Sequence, residues 1–143
     1  MDASDVAGNP MIRNALGDSF PASPEVTLRL FREAGIDQYS HVLHLGAGVG
    51  TVCQLLIETF GCKATGVVMV EPLLQHCVYE DDRVEYLHAK VAELPFEPGL
   101  FTHVLIECRC IAMSDLASVF AAAKQMLASG GQLIVNEPVL SPG

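Results

Sequence analysis

Val42-Leu43-His44-Leu45-Gly46-Ala47-Gly48-Val49-Gly50 is the stretch whose reading decides the fold of this chain. Its first four residues are apolar apart from His44 and read, with His41, as a buried strand. Three glycines in the five positions that follow read as a turn, and Thr51–Phe60 reads as the helix beyond it. A glycine turn between strand and helix lets a ligand approach the backbone, next to the free N–H groups of the helix N-terminus. The spacing is G-x-G-x-G, so the third glycine, Gly50, comes one position earlier than in the dinucleotide pattern G-x-G-x-x-G. Packing alone also favours small residues at such a turn, so the surrounding sequence has to say more.

Working outward, short apolar runs alternate with helical segments. Ala64–Val70, Val84–His88, Thr102–Cys108 and Gln132–Asn136 read as further strands. Helices are expected over Pro72–Tyr79 and, capped by Ser114-Asp115, as far as Ala128. Upstream, Ser23-Pro24-Glu25 opens a helix with Val26, Leu28, Leu30, Phe31 and Ala34 on its buried face, and Gly35 ends it. Alternation of this kind predicts a Rossmann-like, doubly wound α/β domain with about five parallel strands in the order 3-2-1-4-5. Residues 1–24, rich in Asp, Asn, Pro, Ser and Gly, read as an N-terminal arm, and 25–143 as the domain itself.

Composition removes several function classes. The 143 residues carry 8 Lys+Arg against 17 Asp+Glu, a net charge of −9, which repels a nucleic-acid backbone or an anionic membrane surface. No uncharged apolar run approaches the ~18 residues a membrane span needs, and the N-terminus lacks the basic start and apolar core of a secretory signal. The five cysteines form no CxxC pair, which fits reduced thiols in a cytoplasmic protein. No metal site is expected: Cys108 and Cys110 supply only two ligands, and His41 and His44, three apart on a strand, face opposite sides. Spacing supports neither a Ser–His–Asp arrangement nor a G-K-[ST] phosphate loop.

Five segments, VLHLGAGVG, ATGVVMVEPLL, YLHAKVAELPF, FTHVLIEC and MLASGGQLIVNEP, follow one another in an order that resembles the class I S-adenosylmethionine-dependent methyltransferases. The similarity is strongest to the small-molecule, type 11-like branch and covers roughly residues 38–138. It implies an S-adenosylmethionine site at Gly46, Ala47, Gly48 and Gly50, with Val68, Met69, Glu71, Lys90, Val91 and Glu107 around it. In that family three acids hold the cofactor's ammonium, ribose diol and adenine amine. The matching positions here are His44, Val68 and Lys90. Each lost charge-assisted hydrogen bond is worth about 1.5–3 kcal/mol.

The resemblance therefore implies a degenerate member, with weak or no cofactor binding, acting as a partner or binding subunit with a small-molecule ligand. The alternative is an active small-molecule methyltransferase using Gly46, Gly48 and Glu71, with Glu107 near the reacting methyl group. The family sheet also continues past the fifth strand, where this sequence stops at Gly143. Gln132–Asn136 is accordingly expected to be an apolar edge covered by a second copy or by another protein.

Overall fold

The computed structural model describes residues 24–107 and 115–136. Its elements run α1 (Pro24–Glu33), β1 (His41–Leu45), α2 (Thr51–Phe60), β2 (Lys63–Val68), a 3₁₀ helix (Glu71–His76), β3 (Val84–His88), a 3₁₀ turn (Val91–Glu93), β4 (Phe101–Glu107), α3 (Leu116–Met126) and β5 (Leu127–Asn136). The strands form one sheet in the order β3-β2-β1-β4-β5, every pairing parallel. This is the expected doubly wound arrangement.

Strand periodicity explains the two-layered core. Val42, Ala64, Val68, Leu105 and Ile134 join Phe31 of α1 and Val52, Leu56 and Ile57 of α2 on one face. Leu43, Leu45, Val67, Val104 and Ile106 join Val119, Ala123 and Met126 of α3 on the other. Successive side chains of a strand point to opposite faces, so a parallel strand covered on both sides has to be apolar throughout. β1 and β4 obey that rule: Val42, Leu43, Leu45, Val104, Leu105 and Ile106 are all fully buried.

Several expected boundaries move. β2 stops at Val68, because Val68 pairs with the last residue of β3, His88, and neither Met69 nor Val70 has a partner strand. The helix expected over Pro72–Tyr79 is a 3₁₀ helix ending at His76, opened by Pro72 near its start. α3 ends at Met126, two residues short of Ala128, because Leu127 already pairs with Phe101. β5 therefore begins five residues earlier than the pattern suggested. Between Phe101↔Leu127 and His103↔Gln132 the register jumps, so β5 spends five steps where β4 takes two. Gly130 turns there at φ +78°, and a Cβ on Gly131 would lie 2.9 Å from both Ala128 O and Thr102 O.

On α1, Val26 is 57% exposed rather than buried, and Thr27, Phe31 and Ala34 form the inner stripe. That is the i, i+4, i+7 spacing of one helix face. The N-terminal arm, except Pro24, lies outside the described residues, as do Cys108, Arg109 and Cys110.

Candidate functional site

The glycine turn sits at the C-terminal end of β1, flanked by β2 and β4. Gly46, Gly48 and Gly50 take φ values of +87°, +57° and +91°, which L side chains rarely adopt. The N–H groups of Gly46 and Ala47 both donate to Val67 O at 3.0 Å, and Gly50 N donates to Ala47 O at 2.9 Å. Tyr86 of β3 lies directly against the turn: a Cβ on Gly50 would stand 2.7 Å from its hydroxyl. Gly66 is held to a hydrogen by the same ring and by Ala47, whose Cβ would be 2.9 Å away. The Tyr86 hydroxyl is buried with no hydrogen-bond partner among the described residues, and burial raises its pKa well above the ordinary phenol value. Cys77 closes the far side, its thiol donating to Gly48 O at 3.5 Å, and burial pushes that thiol up to about 11.

At the C-terminal ends of β2 and β3, a cleft of about 350 Å³ is lined by Met69, Ala89, Lys90, Val91, Ala92, Asp115 and Ser118. Three elements build it. Met69 follows β2, Lys90 and Val91 open the 3₁₀ turn after β3, and Asp115 and Ser118 come from the N-terminus of α3, which packs on that turn. Val91, 4% exposed, forms its apolar base. Asp115 is the N-cap of α3: one carboxylate oxygen accepts from Ser118 N at 2.9 Å, the other from Ser118 Oγ at 2.6 Å. Those bonds, the side-chain one first, hold its carboxyl below the ordinary value. The cleft thus presents an ammonium, a carboxylate and two apolar walls. Among the described residues no group of three or more His, Cys, Asp or Glu is placed to hold a metal ion.

The residues nominated from sequence fall into three groups. Met69, Lys90 and Val91 meet around the cleft, and Gly46, Ala47, Gly48 and Gly50 form the turn. His44, 1% exposed, and Val68, 0% exposed, are buried in the body of the sheet and are not among the residues that line this cleft. Glu71 is exposed at the start of the 3₁₀ helix, and Glu107 ends β4, paired with Asn136. Sequence reasoning missed Asp115 and Ser118 as cleft residues, reading that segment only as a helix cap. The signal was available: the helix after β4 packs beside the loop after β3 in the expected strand order.

Measured against an adenosyl-methionine ligand, this donor set is uneven. Apolar walls at Met69 and Val91 and two polar groups at the rim suit a planar base. Neither His44 nor Val68 can offer a carboxylate to an ammonium or a diol. A smaller hollow of about 180 Å³ at the opposite edge of the sheet is lined in part by Gly35, Thr102, His103 and Gly130. His103 there is committed to structure, with Nε2 2.8 Å from Ala34 O and Nδ1 2.9 Å from Thr102 Oγ1.

Comparison with known proteins gives a consistent outcome. The family model for a methyltransferase domain matches residues 43–135. A sarcosine/dimethylglycine N-methyltransferase of Halorhodospira halochloris is 26% identical over 130 residues, spanning 87% of this chain and 46% of that protein. A carboxy-S-adenosyl-L-methionine synthase of Pseudomonas entomophila (strain L48) is 30% identical over 112 residues, 69% of this chain and 45% of that one. The chain spans about half the length of the curated relatives it matches. Among solved structures, a chain of the complex between the Haloferax volcanii Trm112 methyltransferase activator and a protein described as a methyltransferase superposes with a TM-score of 0.75. Identity there is 16%, over 93% of this chain and 58% of that one, so the likeness is one of fold.

Proposed function

Because the chain belongs to the class I S-adenosylmethionine-dependent methyltransferases, we propose that it binds the adenosyl end of such a ligand weakly and serves as a binding or partner subunit. One observation carries this reading. At the three positions where the resemblance calls for acids stand His44 and Val68, both buried, and Lys90, an ammonium at the cleft wall. An ammonium group and a diol are held best by an acceptor, and a carboxylate is the strongest one a side chain offers. The test is calorimetric titration with S-adenosylmethionine and, in parallel, S-adenosylhomocysteine. The expected dissociation constant is weaker than about 100 µM, about −5.5 kcal/mol, and a micromolar constant overturns the proposal.

A second reading, an active small-molecule methyltransferase, draws support from the turn, whose glycines keep the positive φ values a close ligand approach needs. Glu71 and Glu107 would then be its polar residues nearest the cofactor. Restoring an acid at the one of these positions that lines the cleft, with Lys90→Asp, separates the two. Under the first reading cofactor affinity rises in the variant; under the second the unmodified protein already binds at micromolar ligand.

The partner role rests on β5. Among the described residues it is the edge strand of the sheet, and its Leu133 and Val135 are 39% and 40% exposed. We place a second copy or another protein along that edge. Sedimentation of the purified chain as a strict monomer, with no protein recovered on it from its source, would sink that part. The free thiols of Cys62 and Cys77 suit a reducing, cytoplasmic setting. No helix of the described residues is long and apolar enough to cross a membrane.

A further inference from the structure

Among the described residues two strands bound the sheet, β3 and β5, and they differ in charge. β3 holds Glu85 and His88 and is flanked in sequence by Arg83 and Lys90. Charges on an edge strand keep another chain from adding to it. β5 runs for 10 residues without one ionisable side chain, in a chain of net charge −9. The register jump between Leu127 and Gln132 breaks the first half of that edge and leaves Gln132–Asn136 as its regular segment.

This segment reads Gln132-Leu133-Ile134-Val135-Asn136: an amide, three apolar residues and an amide. The pattern is the same in both directions. Set antiparallel to a copy of itself about a two-fold axis at Ile134, it places Leu133 opposite Val135 of the second copy, Val135 opposite Leu133, and Gln132 opposite Asn136. Residues directly opposite in an antiparallel pair share a face, with Cβ atoms about 4.5–5.5 Å apart. The two exposed apolar residues, Leu133 and Val135, thereby cover each other. Two chains of net charge −9 repel, and an uncharged strand is where that repulsion costs least. We propose that β5 pairs with β5 of a second copy in this register, so that one sheet runs through both protomers. The inference rests on the partner role given to β5 and names the partner. So short a contact falls well below the roughly 20–30 residues a side of a standard interface, which makes the dimer weak and reversible.

Sedimentation equilibrium over a concentration series reaching about 500 µM tests the pairing. The unmodified chain is expected as a monomer–dimer equilibrium. Leu133→Lys and Val135→Glu should each weaken it by about tenfold or more, since each sets a charge against an apolar side chain. Mixed in equal amounts, the two variants should recover association. The new ammonium then faces the new carboxylate, and the remaining Leu133 faces the remaining Val135. A mixture of Leu133→Lys with Leu133→Glu, whose charges are not opposite in this register, should recover less. Circular dichroism and urea unfolding report the fold of each variant.

A chain that stays monomeric throughout the series overturns the second copy and leaves the β5 edge to a different protein. A dimer that neither substitution weakens is held by another face, and overturns this inference together with the partner role of β5. Weakening by both substitutions without recovery on mixing overturns the register about Ile134 and the symmetric pairing with it.

Discussion

Gly50 shows how much one residue settles. Its φ of +91° excludes most side chains, and a Cβ there would press within 2.7 Å of the Tyr86 hydroxyl. Gly50→Ala should therefore destabilise the domain by about 1–3 kcal/mol, from the strained backbone and from displacement of Tyr86, as read by urea midpoint. Removing the hydroxyl relieves part of that clash and deletes a buried polar atom without a partner among the described residues. Tyr86→Phe alone should be neutral or slightly stabilising, because no hydrogen bond is given up. At the cap of α3, Asp115→Ala should cost about 0.5–2 kcal/mol and Asp115→Asn close to nothing. The need for glycine at position 50 was legible in the sequence. The reason, a tyrosine arriving from a strand 36 positions away, was not, since local pattern carries no information on which side chain crosses to meet a turn.

Among the elements, the uncorrected ones were those whose ends are fixed locally. β1, α2 and β3 begin and end where the pattern placed them. α2 is closed by Gly61 at φ +68°, donating to Ile57 O at 2.9 Å, and a glycine past a helix is a local stop signal. β2 and β5 moved because a strand ends where its neighbour ends, a property of the pair. The two sides of β5 also differ in what they tolerate. Ile134, 4% exposed, is packed in the core, so Ile134→Ala should cost about 2–5 kcal/mol in chemical unfolding. Leu133→Lys, on the exposed side, should change stability by no more than about 0.5 kcal/mol and should weaken any association measured by sedimentation. Equal effects on stability would show that both sides of the strand are packed. Of the candidate site, the turn and the residues after β2 and β3 were legible as motif positions. The α3 wall was signalled only indirectly, through the strand order that sets the helix after β4 beside the loop after β3.

For the whole molecule, the buried thiols set a pH limit. Burial pushes Cys62 and Cys77 from about 9 to about 11, and raises Tyr86 further. A folded-state pKa above the unfolded one gives stability that is complete below the unfolded value and is lost as pH rises through the folded value. The domain should thus hold its urea midpoint from pH 7 to roughly 8.5 and lose it progressively between about pH 9 and 11. Cys77→Ala should flatten part of that slope; an identical slope would exclude the thiol as its source. Asp81, held at about 2 by its bonds to Arg83, works in the acid direction. Its contribution is present above about pH 4 and fades as pH falls toward 2, though the pair is exposed and the effect small.

Of the five amides between Gly46 and Gly50, three point inward to carbonyls of the protein itself, two of them sharing Val67 O. A loop of this kind is a poor anion trap. Pyrophosphates gain their grip from converging backbone hydrogens, and here three of the five are spent on the loop's own shape. The loop also sits in a chain of net charge −9, which works against phosphate. It is a surface better matched to a ligand whose centre bears a positive sulfur than to one strung along phosphates, and inorganic pyrophosphate should not compete for it.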